Sequence, residues 1–394
     1  MVEGKKAVLA VTGSISVYKI VDLASKLVQA GIEVDVAMTE SATRFVAPIS
    51  FRAVTHRPVH TDMWAPVTDF DIEHVALGER GDVVVVAPAT ANTIAKIAMG
   101  IADNLVTCTV LSTQSPVLIA PAMDVGMYLD QATQDNLEKL RQRGYIVVGP
   151  ASGRLASGLE GSGRLVEVAE LQTAIYKVLG RSGDLAGKHV VVTAGGTREP
   201  IDTVRYIGNY SSGKMGFAVA EAARNRGASV SLITGPADIS PPLGVMVTRI
   251  QTAAQMRDAV MDNTPKADAL IMAAAVADYR PESSAEAKIK RKAEGLSLQL
   301  VPTADIINEV QGSLIKVGFA AESEDLVKNA QGKLESKRLD LIVANDITAS
   351  GSGFGSDTNK VTIINRAGET EDLPLMSKFE VANRILDRVA EPTP

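Results

Sequence analysis

Residues 189–235 read HVVVTAGGTREPIDTVRYIGNYSSGKMGFAVAEAARNRGASVSLITG, and this stretch decides the fold. The β-branched run Val190–Thr193 predicts a buried parallel strand. A helical pattern follows over 214–226, and Gly227 ends it before a second strand over 229–233. This order is one βαβ unit with a long Gly/Ser loop after its first strand. In open α/β sheets, ligands bind at that edge.

The same stretch contains a near match to a P-loop. Residues 208–214 fit G-x-x-x-x-G-K, but the next residue is Met215, where a P-loop needs Ser or Thr to hold Mg²⁺. The loop also does not follow its strand directly. We therefore expect no P-loop, but a Gly/Ser loop that attracts phosphate to a helix N-terminus.

Composition sets the class of protein. The 394 residues predict two or three domains, and 46% hydrophobic with 4% aromatic residues is typical of an α/β protein. A net charge of −6 without a long basic tract argues against nucleic acid as the main partner. The single cysteine, Cys108, excludes a disulfide framework and a cysteine-based metal site within one chain, and it is interpreted as a buried small hydrophobe.

The first half repeats the βαβ pattern. Strands are predicted at Lys6–Thr12, Glu33–Met38, Asp82–Ala87, Pro116–Ala120 and Tyr145–Val148, with helices over 18–29, 94–99 and 168–179. No G-x-G-x-x-G follows any strand, so a typical NAD site is not indicated. Ser14 and neighbouring N–H groups can still bind a phosphate. Residues 151–164, ASGRLASGLEGSGR, are too rich in Gly and Ser to pack and are interpreted as a mobile flap.

Several motifs of this half carry a family resemblance. TGSISVYK, Glu73-His74-Val75, APATANTIAKIAMGIADNL, PAMDVGMY and GRLASGLEGSGR occur in the order found in the flavin-dependent cysteine decarboxylases, over about residues 1–180. The resemblance implies a flavodoxin-like domain that binds FMN, with His74 as a catalytic residue. An imidazole can handle protons while flavin takes electrons from the cysteine unit. The implied FMN contacts are Gly13, Ser14, Thr39, Ala89, Thr90, Asn92, Ala102, Asp103 and Asn104.

Two implied catalytic positions depart from that family. Asp124 stands where the family has an asparagine that contacts the substrate carboxylate, so this side chain is protonated, turned away or replaced by a neighbouring donor. Ser157 stands where well-known members carry a flap cysteine that donates a proton. Serine is a far weaker acid than cysteine, so reprotonation can fall to Tyr128, water or another group.

The second half continues with strands at Ala267–Ala275, Leu314–Ala320, Leu341–Ala344 and Val361–Ile364, and a final helix over 378–389. Its motifs AAAVADYRP, KIK, GFAAE and VAND resemble phosphopantothenate–cysteine ligase, in that family's order over 190–360. The fused pair is similar to the bifunctional phosphopantothenoylcysteine decarboxylase/phosphopantothenate–cysteine ligase family of coenzyme A biosynthesis.

The ligase resemblance implies that CTP activates the 4′-phosphopantothenate carboxylate as an acyl-cytidylate. Implied roles are Asp278 for Mg²⁺ and CTP, Lys288 for the triphosphate and catalysis, Phe319 for the cytosine, and Asn209 for the acyl-cytidylate step. Further nucleotide contacts are implied for Thr303, Ala304, Asp305, Ile306, Lys333 and Lys337. Ala304 replaces a usual proline. Without the resemblance, Lys333 and Lys337, four residues apart on one helix face, would be ordinary surface charge.

We therefore predict an α/β protein of two Rossmann-like three-layer domains. Residues 1–180 form the flavodoxin-like flavoprotein domain, 181–188 a linker, and 189–394 the ligase domain with a parallel sheet. An NAD-dependent dehydrogenase and an active ligase with a degenerate, non-catalytic flavin domain are the alternatives. The resemblance implies a homo-oligomer, and a trimer-based flavin domain joined to a dimerising ligase domain suggests a dodecamer. No signal peptide and no membrane-spanning run are visible, so the cytoplasm is the expected location.

Overall fold

The computed structural model describes residues 2–64, 73–237, 239–291, 296–322, 326–346, 351, 353 and 355–391. The chain divides into two compact units, Met1–Arg181 and Ser182–Pro394. Within the described residues, no helix has the length and apolar character that a bilayer crossing requires.

The first unit alternates strands with helices, as predicted. Its strands are β1 Lys6–Val11, β2 Glu33–Met38, β3 Val59–His60, β4 Val83–Ala89, β5 Val117–Pro121, β6 Ile146–Val147, β7 Ala151–Arg154 and β8 Glu160–Arg164. Its helices are α1 Val17–Gln29, α2 Glu40–Thr43, α3 Pro48–Thr55, α4 Glu73–Arg80, α5 Ala91–Met99, α6 Leu105–Ser112, α7 Val125–Leu129, α8 Gln131–Gln142 and α9 Val168–Leu179, followed by a 3₁₀ turn, Gly180–Ser182.

Six strands form a parallel sheet in the order β3-β2-β1-β4-β5-β6. Without the two-residue edge strand β3, the order is that of flavodoxin-like sheets, and with it the order is that of Rossmann sheets. The central strands are buried on both faces because helices cover both sides, which explains their continuous Val/Ala runs. The predicted fold class is confirmed for this unit.

The prediction that residues 151–164 do not pack is wrong. β7 and β8 pair as an antiparallel hairpin, and β8 lies against α7. The glycines permit this packing, because a Cβ at Gly161 would lie 2.6 Å from Cγ2 of Val125 and one at Gly163 2.4 Å from the Met123 carbonyl oxygen. Met123 N donates to the Gly163 carbonyl at 2.9 Å. Glycine here allows close approach of two backbones, which composition alone does not reveal.

Cys108 lies in α6, 8% exposed, and the interpretation as a small buried hydrophobe is confirmed. Burial raises the pKa of its thiol, and the charge of Asp103 adds to this.

The second unit contains the predicted βαβ unit and its continuation. Its strands are β9 His189–Ala194, β10 Arg198–Pro200, β11 Tyr206–Gly208, β12 Ser229–Thr234, β13 Met246–Arg249, β14 Ala269–Met272, β15 Tyr279–Pro281, β16 Leu300–Pro302, β17 Ile315–Glu322, β18 Leu341–Asp346, β19 Thr358–Asn359, β20 Val361–Asn365, β21 Thr370–Asp372 and β22 Met376–Ser377. Its helices are α10 Lys214–Asn225, α11 Ala253–Asn263, α12 Ile306–Glu309, α13 Leu326–Ser336 and α14 Lys378–Ala390, with a 3₁₀ turn at Thr264–Lys266.

The main sheet of this unit runs β13-β12-β9-β14-β17-β18-β20-β21. The first six strands are parallel, and β20 and β21 are antiparallel. The parallel sheet predicted for the second half is thus confirmed, with two antiparallel strands added at one edge. Strand β14 is shorter than predicted, because the chain leaves the sheet after Met272. The hairpin β10–β11 lies between β9 and α10 in the chain, whereas a P-loop would follow its strand directly.

Residues predicted as a linker carry structural contacts in the second unit. Leu185 is 2% exposed and belongs to the core. Arg226, also 2% exposed, donates through Nε to Asp184 at 2.9 Å and through Nη1 to Asp387 at 2.8 Å. Arg226 thereby joins the end of α10 to α14 and fixes Asp184 beside both helices.

Candidate functional site

A cavity of 710 Å³ lies in the second unit, at the carboxyl edge of its parallel strands. The loop before α10, the segment after β14, the start of α12, and β17 form much of its wall. The predicted residues that line it are Asn209, Asp278, Thr303, Ala304, Asp305, Ile306, Phe319, Lys333 and Lys337. The sheet therefore brings together residues that are up to 128 positions apart in sequence, which is what a ligand site at the strand ends requires.

Short polar contacts hold these segments to one another. Thr303 donates its N–H to the Asp278 carbonyl at 2.9 Å and its hydroxyl to the Ala277 carbonyl at 2.6 Å. The Asn209 amide donates to the Val276 carbonyl at 2.9 Å. The exposed Asp278 carboxylate stays on the cavity wall.

Lys337 lies just beyond α13, but its N–H still bonds to the Lys333 carbonyl at 3.0 Å, and both lysines line the cavity. Lys337 also forms an ion pair with Asp305 at 3.4 Å. The cavity wall thus combines basic side chains with the apolar ring of Phe319. This combination suits a ligand that carries both phosphate groups and a nucleobase.

Lys288 is not among the residues that line the cavity. The neighbouring Ile289 is held at both of its backbone polar groups: its N–H donates to Asp202 Oδ2 at 3.1 Å, and its carbonyl accepts from Arg205 Nη2 at 2.8 Å. The buried Asp202 also accepts from Val204 N and Arg205 N, both at 2.8 Å. The Arg205 guanidinium and these N–H groups hold the pKa of Asp202 well below its usual range. Lys292, the end of the predicted basic run, lies outside the described residues.

Sequence reasoning assigned no site role to several polar residues on the cavity wall, among them Lys214, Lys378 and Asn359. Lys214 was visible as part of the false P-loop, whereas Lys378 was only the first residue of a helix. Met215 Sδ accepts from the Asn359 amide at 3.6 Å, so the residue that broke the P-loop pattern faces a side chain of the wall.

In the first unit, predicted cofactor residues meet at the carboxyl ends of β1, β2 and β4. Thr12 Oγ1 donates to the Pro88 carbonyl at 2.5 Å and accepts from Thr90 N at 3.2 Å, which ties the ends of β1 and β4 together. A Cβ at Gly13 would lie 2.5 Å from that of Ser41, so glycine lets the turn with Ser14 approach α2. Thr39 caps α2. Ala89 is buried at the end of β4, and Asn92 is exposed in α5.

This arrangement fits the phosphate of a flavin nucleotide. α1 starts directly after the turn and has no acidic residue in its first turn, so its positive end attracts an anion without competition.

The remaining predicted contacts, Ala102, Asp103 and Asn104, lie elsewhere. They follow α5, whose opposite end is capped by Thr90, and a nine-residue helix is roughly 13 Å long. Asp103 forms an ion pair with Lys96 at 2.6 Å. Thr90 and the segment 102–104 therefore lie at opposite ends of α5.

The two unusual positions, Asp124 and Ser157, are in direct contact. Ser157 lies in the turn of the β7–β8 hairpin, and its hydroxyl donates to Asp124 Oδ2 at 2.6 Å. Asp124 is the N-cap of α7 and accepts from Gly126 N at 3.2 Å. The hydrogen bond from Ser157 and that from Gly126 lower the pKa of Asp124. Of the three predicted alternatives, this disfavours a protonated Asp124.

His74 is the second residue of α4 and is half-buried. Its carbonyl accepts from Ser112 Oγ at 3.0 Å. Among the described residues, no hydrogen bond or ion pair joins its ring to the Asp124–Ser157 pair.

Comparison with known proteins agrees with this two-unit organisation. Residues 1–180 match the family model "Flavoprotein", and residues 185–393 match "DNA/pantothenate metabolism flavoprotein C-terminal domain". The coenzyme A biosynthesis bifunctional protein CoaBC of Bacillus subtilis (strain 168) is 46% identical over 396 residues, covering 99% of this chain and 98% of the relative.

Two further relatives bear the same name. That of Vibrio cholerae serotype O1 is 41% identical, covering 98% of each chain. That of Mycobacterium tuberculosis (strain ATCC 25618 / H37Rv) is 44% identical, covering 98% of this chain and 96% of the relative.

Proposed function

The chain belongs to the family of bifunctional coenzyme A biosynthesis proteins, and on that premise we propose how its two units divide the work. It is an enzyme of coenzyme A biosynthesis that combines ligase and decarboxylase activities, and its first unit is a flavoprotein domain. The proposals concern the substrates, the residues and the assembly.

The second unit, we propose, ligates cysteine to 4′-phosphopantothenate with CTP. The substrate carboxylate attacks the α-phosphorus of CTP and releases pyrophosphate, and the cysteine amine then attacks the acyl carbon and displaces CMP. The observation that carries this proposal is the cavity that gathers Asp278, Phe319, Lys333 and Lys337. Cationic side chains positioned around a phosphoryl centre stabilise charge that develops on the leaving group.

Mg²⁺ fits this cavity through Asp278. Among the described residues, no group of three His, Cys, Asp or Glu side chains forms a protein-built metal site. Mg²⁺ is commonly bound by one or two carboxylates together with substrate phosphates, and Asp278 is a solvent-accessible carboxylate on the wall. Asp278 would hold the ion against the triphosphate.

The first unit, we propose, uses FMN to decarboxylate phosphopantothenoylcysteine to 4′-phosphopantetheine. Bound flavin supplies the reversible two-electron oxidation of the cysteine unit. Gly13, Ser14 and Thr39 would hold the cofactor near the strand ends, and His74 would move protons. The Asp124 carboxylate faces Ser157 and Gly126 N, so a neighbouring donor would contact the substrate carboxylate.

A homo-oligomer, up to a dodecamer, is supported by two observations. The predicted flavin contacts at Thr90 and at Ala102–Asn104 lie at opposite ends of α5, so a second copy can complete the site. Large apolar side chains beside both groups are exposed: Ile15 58%, Tyr18 61%, Met99 60% and Ile101 46%. Surfaces of this kind mark protein contacts. A cytoplasmic location is proposed with the biosynthetic role.

One anaerobic reaction tests both halves. The protein, isolated with its flavin, receives 4′-phosphopantothenate, cysteine, CTP and Mg²⁺, and mass spectrometry identifies the products. We expect 4′-phosphopantetheine, CMP and pyrophosphate. Accumulation of phosphopantothenoylcysteine would support the alternative of a degenerate flavin domain, for which the comparisons give no support. Absence of CMP would refute the ligase assignment.

A further inference from the structure

Lys214, Lys378 and Asn359 form a cluster on the cavity wall that the proposed nucleotide contacts do not use. Lys214 is the first residue of α10 and Lys378 the first of α14, and these helices pack against each other. Burial lowers the pKa of Lys378, and the nearby charge of Lys214 lowers it further. The structure therefore holds two like charges together at the cavity.

The Lys378 ammonium is buried, and the carboxylate whose charge acts on it, Asp357, is paired with Lys214. The residue is 6% exposed, and its Nζ donates to the Gly353 carbonyl at 3.4 Å and to the Ser356 carbonyl. In the described part of the chain, no carboxylate lies within ion-pair distance of it. Burying a cation without an anion costs free energy.

Lys214 has one opposite charge. Its Nζ lies 2.6 Å from Asp357 Oδ1 and 2.8 Å from the Gly355 carbonyl. The Asp357 side chain is 88% exposed, so solvent weakens this pair. Two ammonium groups thus share one well-solvated carboxylate, which leaves net positive charge at the wall.

Asn359 adds an unsatisfied polar atom to the same place. It is 3% exposed, and among the described residues its Oδ1 has no hydrogen-bond partner and its Nδ2 contacts the weak acceptor Met215 Sδ alone. Such a buried orphan is costly unless a ligand completes it. In the orientation with Nδ2 towards Met215, the free Oδ1 accepts a hydrogen bond from a ligand hydroxyl or N–H. Rotated by half a turn, the amide donates to a phosphate oxygen.

We infer that Lys214, Lys378 and Asn359 form a second anion subsite of the ligase, which binds a phosphoryl group that neighbours a hydroxyl or amide. The start of α10, free of acidic residues in its first turn, adds partial positive charge. This inference rests on the proposed function, because two of the three ligase substrates, 4′-phosphopantothenate and CTP, carry phosphate. The phosphomonoester of 4′-phosphopantothenate and the triphosphate of CTP are the two sources of that chemistry.

The subsite is tested by isothermal titration calorimetry of the full-length Lys378→Met variant and the wild type. Each protein is titrated with 4′-phosphopantothenate and with CTP in separate experiments. We expect the variant to lose roughly ten- to hundredfold in affinity for one of the two phosphates, as for a lost charged hydrogen bond. Loss for 4′-phosphopantothenate but not for dephosphorylated pantothenate assigns the phosphomonoester, and loss for CTP assigns the triphosphate. Lys378→Arg keeps the charge and should remain within a few-fold of the wild type.

Lys316→Met is the matched control. The Lys316 ammonium also donates to backbone carbonyls, those of Ile307 and Val310, but the residue does not line the cavity. Unchanged affinity of Lys378→Met for both substrates, or equal losses in Lys316→Met, would overturn the subsite. Failure of the wild type to bind either substrate would instead refute the proposed function, and the subsite with it.

Discussion

Replacing Gly163 by alanine should detach the β7–β8 hairpin from the PAMDVGM segment. Gly163 has φ +148°, a conformation that alanine adopts only under strain, and its Cβ would lie 2.4 Å from the Met123 carbonyl oxygen. Such strain costs about 1–3 kcal/mol. The backbones must separate by more than half an ångström, which sacrifices the Met123–Gly163 hydrogen bond, worth about 1 kcal/mol.

The total, about 2–4 kcal/mol, shifts the docking equilibrium of the hairpin by roughly 30- to 700-fold. Because Ser157 lies in the hairpin turn, undocking separates it from Asp124. We expect the rate of phosphopantothenoylcysteine decarboxylation to fall about tenfold or more. Hydrogen exchange of the Met123 amide should also accelerate about tenfold or more. Ligase turnover in the other unit is the internal reference.

Gly158→Ala supplies the matched control in the same hairpin. Gly158 also has positive φ, +87°, but a Cβ there meets nothing within 4 Å. Its strain, about 1 kcal/mol, is partly offset by the lower entropy of the unfolded chain. The reasoning would be refuted if Gly163→Ala decarboxylated at the wild-type rate with Met123 still protected, or if the two variants were equally impaired.

Three other predictions follow from described contacts. Arg226→Met should reduce hydrogen-exchange protection of α10 by about 2 kcal/mol, less than for a fully buried pair because the carboxylates are partly solvated. Arg226 lowers the pKa of Asp184, so this contribution is present above about pH 4 and is lost as pH falls through the folded-state pKa; the gap between wild type and variant should narrow in acid, and a gap independent of pH would contradict the assignment. Cys108 should react with an aromatic disulfide reagent far more slowly in the native chain than in urea, because its thiol is buried with a raised pKa; equal rates would contradict its burial. Ser157→Ala should move the acidic limb of the decarboxylation pH profile to higher pH, since the lost hydrogen bond lowers the pKa of Asp124 in the wild type; an unmoved limb would show that Asp124 does not titrate in that step.

The fold could be predicted from the sequence wherever an element carries a local signal, such as a continuous apolar run. The β-branched runs of β1, β4 and β9 were found because helices bury both faces of those strands. Strand β13 was missed because all four of its residues are exposed at the sheet edge, which leaves no apolar pattern. Helix α11 was also not predicted, although the capping box formed by Thr252 and Gln255 was visible in the sequence as a signal for its start.

The site was predictable where a family motif covered it. Motif order indicated Asp278, Phe319, Lys333 and Lys337, whereas charge pattern alone would have placed these two lysines on an ordinary surface. Lys378 could not be found this way, since a lysine at a helix start is normally solvated and its burial depends on tertiary packing. The contact of Asp124 with Ser157 likewise joins two substitutions that sequence treats as separate.

The Asp202–Arg205 pair has a consequence for the order in which the protein is made. Both side chains leave the ribosome before Ile289, by 87 and 84 residues, and at about 5–20 residues per second that interval lasts roughly 4–17 s. In the folded protein, Asp202 accepts from the N–H groups of Val204 and Arg205 and from the Arg205 guanidinium, which lie within three residues of it and leave the ribosome almost with it. The nascent chain can therefore form the Asp202–Arg205 pair before Ile289 is synthesised. The segment beside Lys288 then binds to a pair that is already in place.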